Sequence, residues 1–326
     1  MVVPTLVADE ALAERLASLD SQTFRDFEAV VVDNSGRGLA CKRTAVKIIE
    51  NKANVGFGSA INQACRASES EFIATLNDDA VAHPGWIEAL VGAMDRHPKA
   101  GMCASCVRLG DGSKLDSAGM LLCADGSSKQ RGHGASPELF DVAGDALFPS
   151  GSAALYRRSM LAETGGFDDN FFLYCEDTDL GLRGLWAGWT CRYVAEAKVD
   201  HRYSHSAGRV SPLKAYYVER NRGFVAIKNF PLPMLLWSPM AAMARYFWHV
   251  VTLFSGRGPA GEFRSQGGSA LILAWLTLKA HVAVGAHLPR LIRQRWKIRS
   301  EAKISPAEFR RWARRFSISP REVASL

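Results

Sequence analysis

The feature that most constrains the fold is an alternation of strand-like and helix-like segments over the first 80 residues. The short apolar, β-branched segments are residues 2–4, 27–32, 47–49 and 72–76. An amphipathic segment lies at 10–19, and a second predicted helix runs through Ile61 and Ala64. This βαβαβ order predicts a parallel, doubly wound sheet. In such sheets the ligand lies beyond the carboxyl ends of the strands. Asp33 and the Asn77–Asp79 cluster follow predicted strands, so both are expected at that edge.

Acidic residues collect at the start of a predicted helix within residues 166–189. They are Asp168, Asp169, Glu176, Asp177 and Asp179. Carboxylates placed where apolar packing begins indicate a general base held on a rigid element. They are equally typical of helix caps that favour the positive end of the helix dipole. This segment by itself leaves both interpretations open.

Other polar clusters are also ambiguous when taken singly. Asn77–Asp79 has the carboxylates to hold a hard divalent cation, but Asn and Asp are equally common in exposed turns. Gly56 and Gly58 resemble a phosphate loop, yet Ile61 stands where the dinucleotide fingerprint needs a third glycine. His201 and His205 are four residues apart, but Arg202 excludes an HExxH zinc pair.

Composition indicates a globular chain with an anionic partner. Its 326 residues suffice for one large α/β domain with an appendage, and its formal charge is +7. Residues 290–315 contain ten Lys or Arg against two Glu. Seven scattered cysteines fit a reducing compartment, and Cys103 and Cys106 form a lone CxxC, a weak zinc or redox signal. No signal peptide is recognised, so we predict a cytoplasmic location.

Two further regions differ in composition from the predicted α/β part. Residues 107–150 are rich in Gly, Ser and Asp and predict either a β-rich excursion or mobile loops. Residues 231–256 and 269–288 are apolar, but Pro239 and charged residues make them poor membrane spans. We predict that they form helices lying on a bilayer surface. The alternative is a helical subdomain that packs on itself or on a second subunit.

Taken together, the successive motifs over residues 2–225 resemble the family 2 inverting glycosyltransferases, most of all bacterial rhamnosyl- and galactofuranosyltransferases. The matching blocks are VVPT, SQTFRDFEAVVVDNSG, NKANVGFGSAINQA, LNDDA, GSAALYRRSMLAETGGFDDNFFLYCEDTDLGLRGLWAGW, VDHRYSHSAG and ERNRGF. The resemblance implies a GT-A fold, a Rossmann-like, mostly parallel sheet flanked by helices, with a C-terminal helical region. It implies a catalytic domain at 1–228, with a nucleotide-binding half at 1–100 and an acceptor half at 101–228. Residues 229–326 would form a basic helical region associated with the membrane.

The resemblance also implies roles for individual residues. Asp79 would hold Mg2+ or Mn2+ on the donor diphosphate with the help of His201, and Asp177 would deprotonate the acceptor hydroxyl. Glu176 would orient Asp177 or contact the acceptor. The donor-binding residues implied are Asp33, which contacts the base, with Asn54, Gly56, Asn62, Asn77, Asp78 and Arg220. The chain departs from the family at Asn77, the first DxD position. Its opening strand is also short before Pro4, which suggests either a misassigned start codon or a trimmed edge strand.

The predicted function is therefore transfer of a sugar, rhamnose-like or similar, from a nucleoside-diphosphate donor with inversion. The acceptor is predicted to be lipid-linked or a polysaccharide, and the enzyme peripheral at the cytoplasmic face of the inner membrane. A nucleotidyltransferase is one alternative, but it needs a glycine- and lysine-rich loop that is not found. A non-enzymatic basic module for membranes or nucleic acid is another, and the tail lacks a nucleic-acid motif. A homo-oligomer is left open.

Overall fold

A computed structural model describes residues 1–7, 10–38, 46–201, 211–256, 258–265 and 268–326 of the chain. The chain is divided into two compact units. The first contains residues 1–120, 130–184 and 188–206, and the second contains residues 121–129, 185–187 and 207–326. The predicted division into a catalytic domain at 1–228 and a basic helical region at 229–326 stays a prediction. Of the residues singled out from the sequence, Arg202 and His205 lie outside the described ranges.

The first 80 residues form the predicted alternation. The elements are β1 (Val2–Thr5), α1 (Glu10–Asp20), β2 (Ala29–Asp33), β3 (Val46–Glu50), α2 (Phe57–Arg66), β4 (Phe72–Leu76) and β5 (Ala80–Ala82). Strands β1–β4 form a parallel set, in which Thr5 pairs with Asp33 and Val2 with Thr75. Their carboxyl ends therefore meet at one edge, as predicted.

The remaining elements of the first unit extend this sheet and cover it. They are α3 (Trp86–Arg96), β6 (Ala100–Leu109), β7 (Lys114–Ser117), β10 (Gly144–Ala146), β11 (Ala153–Arg157), α4 (Arg158–Thr164), α5 (Glu176–Trp186) and β12 (Thr190–His201). Strands β8 (Met120–Cys123) and β9 (Ser128–Gln130) belong to a separate small sheet. Residues 107–150 thus follow the first of the two predicted alternatives, a β-rich excursion.

Strand order corrects one prediction. The main path runs β10-β12-β6-β11-β4-β1-β2-β3, so β1 lies inside the sheet between β4 and β2. The interpretation of residues 2–5 as a trimmed edge strand was wrong. It pairs with β2 on one side and with β4 on the other, and Val2 and Val3 are almost completely buried.

The core beside the sheet shows why α3 forms where it does. Trp86, Leu90 and Met94 recur at helical spacing, and all three are fully buried. Each such side chain stabilises the fold by roughly 1.5–3 kcal/mol relative to leaving it exposed. The Trp86 indole donates to Ser105 Oγ at 2.8 Å, so its polar atom is satisfied. Trp86 is therefore a core residue with no face open to a ligand.

The second unit is mainly helical. Its elements are α6 (Pro212–Asn229), α7 (Leu232–Ser255), α8 (Gly258–Ser265), α9 (Ala270–Ser300), α10 (Pro306–Arg315), β13 (Ser317–Ile318) and α11 (Pro320–Ser325). Helices α7 and α9 confirm the predicted helical segments, and α9 continues beyond residue 288. Strand β13 pairs with β8 in the small sheet.

A buried ionic network lies inside the second unit. Arg245 Nε donates to Asp125 Oδ2 at 2.6 Å, and its Nη2 donates to Glu219 Oε2 at 2.7 Å. Arg222 also pairs with Glu219, and Tyr246 donates to the same carboxylate. Burial opposes ionisation of Glu219, yet the two guanidiniums hold its pKa down at about 2. Four ionised side chains therefore share one buried cluster.

Candidate active site

Asp33 lies at the carboxyl end of β2 and is 1% exposed. Its Oδ1 accepts a hydrogen bond from the backbone N–H of Ser35 at 2.8 Å. Its Oδ2 is buried and has no hydrogen-bond partner among the described residues. Because a buried carboxylate oxygen needs a donor, this atom is suited to accept one from a bound ligand. Asp33 can therefore stabilise the turn at Ser35 through Oδ1 and accept a hydrogen bond from a ligand through Oδ2.

The turn before α2 and α2 itself contain three of the residues that the resemblance assigns to donor binding. Asn54 Oδ1 accepts from the backbone N–H of Gly56 at 2.9 Å, which closes the turn. Asn62 Nδ2 donates to the carbonyl of Phe167 at 2.8 Å and its Oδ1 accepts from the N–H of Phe167 at 3.0 Å. Asn62 therefore clamps α2 to the segment before α5. Donor contacts by Asn54, Gly56 and Asn62 stay predictions.

The Asn77–Asp79 cluster follows β4 at the same sheet edge. The Asn77 N–H donates to the carbonyl of Ser152 at 2.8 Å. Thr5, at the end of β1, donates through its hydroxyl to Asp78 Oδ2 at 2.8 Å. Asp79 is 5% exposed and points to His201, the last residue of β12. The cluster is thus anchored to two neighbouring strands and is not a free surface turn.

A chain of hydrogen bonds links Asp79, His201 and Asp116. His201 Nε2 lies 2.9 Å from Asp79 Oδ1, and its Nδ1 lies 2.9 Å from Asp116 Oδ2. His133 contacts the other oxygen of Asp116 at 3.1 Å. Burial lowers the pKa of His201, but hydrogen bonds to the two carboxylates outweigh burial and raise it to about 9.

The Asp79–His201 pair fits two positions of a divalent-cation site. Adjacent ligands of an octahedral ion, each about 2.1 Å from it, are about 3 Å apart, which matches the 2.9 Å separation. Because Asp116 contacts Nδ1, Nε2 is the ring nitrogen that would face the ion, as in the carboxylate–histidine pairs of metal sites. No three His, Cys, Asp or Glu side chains converge on one point in the described part of the chain. The other positions are then left for substrate phosphate and water, as is usual for Mg2+.

Asp177 and Glu176 begin α5 and lie beside the end of β4. Asp177 Oδ2 accepts from the N–H of Gly151 at 3.1 Å, and its Oδ1 accepts from the N–H of Thr178 at 2.6 Å. The Gly151 carbonyl in turn accepts from the Thr75 hydroxyl of β4 at 3.0 Å. Asp177 is therefore connected to the edge that contains Asn77.

The carboxyl groups of Asp177 and Glu176 differ in their hydrogen-bond partners. Burial raises the pKa of Asp177, while the N–H groups of Gly151 and Thr178 stabilise its ionised form. Burial and the nearby charge of Asp177 raise the pKa of Glu176 to about 8. Glu176 Oε2 is buried without a hydrogen-bond partner in the described residues. Glu176 therefore keeps its proton near neutral pH, while the N–H groups of Gly151 and Thr178 favour the ionised form of Asp177, an arrangement suited to a general base at position 177.

The neighbouring acidic residues have structural partners. Asp168 caps a 3-10 turn by accepting from the N–H of Asn170 at 3.1 Å. Asp169 accepts from the Ser59 hydroxyl at 2.7 Å. Asp179 is fully buried and pairs with Arg183 at 2.8 Å. Asp168, Asp169 and Asp179 are therefore engaged in structural contacts.

The remaining candidates lie elsewhere. Arg220 lies in the second unit, where its guanidinium lies over the rings of Tyr217 and Phe224, and its diphosphate contact stays a prediction. Cys103 and Cys106 are both buried in β6, and burial raises the pKa of the Cys103 thiol to about 12. Neither cysteine is therefore a reactive thiolate. Trp186 stacks on Phe309 within the second unit.

Comparison with known proteins assigns the family. The family model described as glycosyl transferase family 2 matches residues 1–165, just over half of the chain. The chain belongs to glycosyl transferase family 2. The N-acetylglucosaminyl-diphospho-decaprenol L-rhamnosyltransferase of Mycobacterium tuberculosis is 33% identical to it over 222 residues, or 60% of this chain and 72% of that protein. The O-antigen chain rhamnosyltransferase WbaN of Salmonella anatum is 25% identical over 63% of this chain and 66% of that protein.

Solved structures agree on the fold of this family 2 glycosyltransferase. The crystal structure of GalNAc-T7 with UDP, GalNAc and Mn2+ superposes with a TM-score of 0.60. The match covers 74% of this chain and 50% of that chain at 13% sequence identity. The GT-A-like fold predicted from the motifs is thereby confirmed. The family match above confirms glycosyltransferase as the class of enzyme.

The backbone before the carboxylate pair of this glycosyltransferase is strained. Phe172, Tyr174 and Cys175 have φ between 63° and 68°, a region that bulky side chains rarely adopt. Each such residue costs about 1–3 kcal/mol, a cost typical of functional sites. The Phe172 carbonyl accepts from the Phe57 N–H at 3.0 Å and packs against Gly56, where a Cβ would lie only 2.3 Å from it. Gly56 is thus required by this contact, whatever its role toward a ligand.

Replacing Glu176 by Gln is expected to stabilise the enzyme at alkaline pH. The folded protein holds the Glu176 proton up to about pH 8, whereas the unfolded chain releases it near 4.5. The wild-type free energy of unfolding therefore falls as pH rises between these two values. Glutamine has no proton to lose, so the variant should gain about 1–3 kcal/mol at pH 8 and much less at pH 5. Urea unfolding at both pH values measures this, with the exposed Glu196→Gln as control. Equal gains at the two pH values would contradict the assigned protonation.

Proposed function

We propose that this protein is an inverting, metal-dependent glycosyltransferase that transfers a rhamnose-like sugar from a nucleoside-diphosphate donor to a lipid-linked or polysaccharide acceptor. The observation that carries the proposal is that Asp177, Asn77 and the Asp79–His201 pair are linked to the carboxyl end of β4. The links are the hydrogen bonds through Gly151 and Ser152 and the β12–β5 pairing of His201 with Ala80. Acceptor activation and diphosphate binding would thus take place at one edge of one sheet.

The chain's own groups account for the acceptor side of the reaction. Asp177 accepts the proton of the acceptor hydroxyl as the oxygen attacks the anomeric carbon. The N–H groups of Gly151 and Thr178 hold its carboxylate in place, so little reorganisation accompanies the proton transfer. Protonated Glu176 keeps a second negative charge away from the base. One displacement from the face opposite the leaving group inverts the anomeric configuration.

The donor side rests on Asp33, Asp79 and His201. Asp33 Oδ2, buried and available, accepts a hydrogen bond from the donor base. Asp79 and His201 would hold a Mg2+ or Mn2+ ion. When bound, such an ion offsets the negative charge that develops on the diphosphate. The neighbour GalNAc-T7 was solved with UDP and Mn2+, which supports the same donor chemistry here.

The acceptor proposal follows from the relatives and from the second unit. The mycobacterial relative is named for a diphospho-decaprenol substrate, a lipid diphosphate. Helix α7 exposes a row of large apolar side chains at helical spacing: Leu232, Leu236, Trp237, Met240, Met243, Phe247, Val250, Val251 and Phe254. Helix α9 alone among the described helices is long and apolar enough to cross a membrane. With ten basic residues at 290–315, these faces support binding to the cytoplasmic surface of an anionic membrane.

The decisive experiment is a screen of nucleotide sugars for donor hydrolysis and for transfer to a lipid-linked acceptor with Mg2+ or Mn2+. We expect turnover with one deoxyhexose donor, dependent on the metal, and an inverted anomeric product by NMR. Absence of hydrolysis with every donor would contradict the proposal. Release of pyrophosphate from a nucleoside triphosphate would instead identify a nucleotidyltransferase.

Metal binding is expected to depend on Asp116, which contacts Nδ1 of His201, the ring nitrogen that does not face Asp79. Asp116→Asn should weaken Mn2+ affinity by about 10–100-fold, because the carboxylate orients the imidazole. Asp79→Ala removes a ligand and should weaken it further. Calorimetric titration of Mn2+ in the presence of nucleoside diphosphate measures both, with the exposed Asp141→Asn as control. Unchanged affinity in Asp79→Ala would place the metal elsewhere.

A further inference from the structure

A cavity of about 390 Å³ lies within the second unit, between α6, α7 and α9. Its lining residues are Ile227, Leu235, Leu288, Ile292, Arg295, Trp296 and Arg299. The walls are therefore mostly hydrocarbon, and two guanidiniums supply the positive charge. The volume is in the range of roughly 300–1,000 Å³ that is typical of small-molecule sites.

The two arginines are held in place by the end of α6. Arg295 Nη1 donates to the carbonyl of Ile227 at 2.8 Å, and Arg299 Nη2 donates to the carbonyl of Asn229 at 2.8 Å. Arg299 also lies 3.5 Å above the ring of Trp186. One interpretation is that they simply cap this helix. A helix C-terminus, however, is equivalent to only about half a negative charge, which does not balance two full positive charges.

The positive charge of this pair is not compensated by protein groups. Burial lowers the pKa of Arg295, and burial together with the charge of Arg295 lowers the pKa of Arg299 to about 9. Across the described ranges, neither guanidinium forms an ion pair with a carboxylate, and Arg299 Nη1 is buried without a hydrogen-bond partner. Two half-buried guanidiniums that lie close together with no carboxylate beside them favour the binding of an anion.

We propose that this cavity binds a phosphate-bearing lipid, with the apolar chain against the α6, α7 and α9 side chains and the phosphate on Arg295 and Arg299. Guanidinium groups match phosphate oxygens in charge and in fork geometry, and the apolar wall selects a hydrocarbon chain. The adjacent Trp296 is 72% exposed, which suits a side chain at a membrane interface. That this lipid is the sugar acceptor rests on the proposed function, whereas the binding itself does not.

The test uses dodecyl phosphate below its micelle concentration, titrated calorimetrically into the full-length protein. Arg295→Gln and Arg299→Gln should each weaken binding by about tenfold or more, because each removes a charged hydrogen bond. Ile292→Trp, at a position 41% exposed and thus tolerant of a larger side chain, should weaken it by filling the cavity. Arg293→Gln, exposed on the same helix and outside the cavity, is the matched control and should bind as the wild type does.

Three outcomes would overturn the proposal. They are absence of binding by the wild type, equal affinity for inorganic phosphate alone, and equal weakening by Arg293→Gln. Because the titration contains no donor sugar, its result is separate from that of the transferase assay. A protein that binds dodecyl phosphate but transfers no sugar contradicts only the proposed function. A protein that transfers sugar without binding dodecyl phosphate contradicts only the lipid site.

Discussion

Replacing Asp177 by Asn is expected to abolish sugar transfer while leaving donor binding nearly unchanged. Asparagine keeps the size of the side chain and can still accept a hydrogen bond from Thr178, but it cannot take the acceptor proton. General-base catalysis contributes about 10²–10⁴-fold, so kcat should fall by about a thousandfold. Steady-state transfer kinetics measure the loss, and calorimetric titration of the donor with Mn2+ measures the binding.

A matched variant separates the loss of a negative charge in this segment from the loss of the proposed general base. Asp168→Asn removes a carboxylate from the same segment but keeps the cap on Asn170, since asparagine caps as well as aspartate. This variant should keep near wild-type kcat. Undiminished transfer by Asp177→Asn would exclude Asp177 as the base and leave Glu176 as the candidate. Loss of donor affinity in Asp177→Asn would show that the carboxylate acts on the donor.

Replacing Asp125 by Asn is expected to cause the largest loss of stability. Asp125 is completely buried and balances Arg245 and Arg222 in the second unit. Asparagine leaves one positive charge uncompensated, and breaking a buried ion pair in this way costs about 3–5 kcal/mol. The melting temperature should fall by about 10 °C. Thermal unfolding followed by circular dichroism measures it, and the exposed Glu301→Gln is the control.

A double variant tests whether the stability loss of Asp125→Asn comes from an unpaired charge. The double variant Asp125→Leu/Arg245→Met removes both partners, so it should recover part of the stability lost by Asp125→Asn. Glu219 has a depressed pKa, so its contribution is complete above its unfolded value and is lost as pH falls towards 2. A double variant less stable than Asp125→Asn would indicate that packing, and not charge, is lost.

Local sequence patterns were sufficient for the parallel half of the sheet. Strand β2 is an apolar, β-branched run that ends at Asp33, and β4 is an apolar run that Asn77 follows, so both their position and the sheet edge at which they end were predictable. The place of β1 was not, because four residues contain no information about which strands flank them. Sheet order is decided by the pairing of the whole chain.

Asp116 shows the limit of sequence reasoning at the candidate site. It lies in a segment rich in Gly, Ser and Asp that has the composition of a surface loop, yet it is 2% exposed. Only the pairing of β7 with β6 brings it to His201. The one local signal is that Leu115, directly before it, is apolar within a polar run. The positive φ values at Phe172, Tyr174 and Cys175 were equally unpredictable, since none of these residue types favours that conformation.

The contact between Gly56 and Phe172 has a consequence for how homologous enzymes can diverge. Any side chain at position 56 would collide with the Phe172 carbonyl oxygen. Because that oxygen belongs to the backbone, no substitution at position 172 removes it. A substitution at 56 is therefore tolerable only if the loop around 172 is rebuilt at the same time. Across relatives, the length and sequence of these two distant segments should covary, and chimaeras that exchange only one of them should fail to fold at this point.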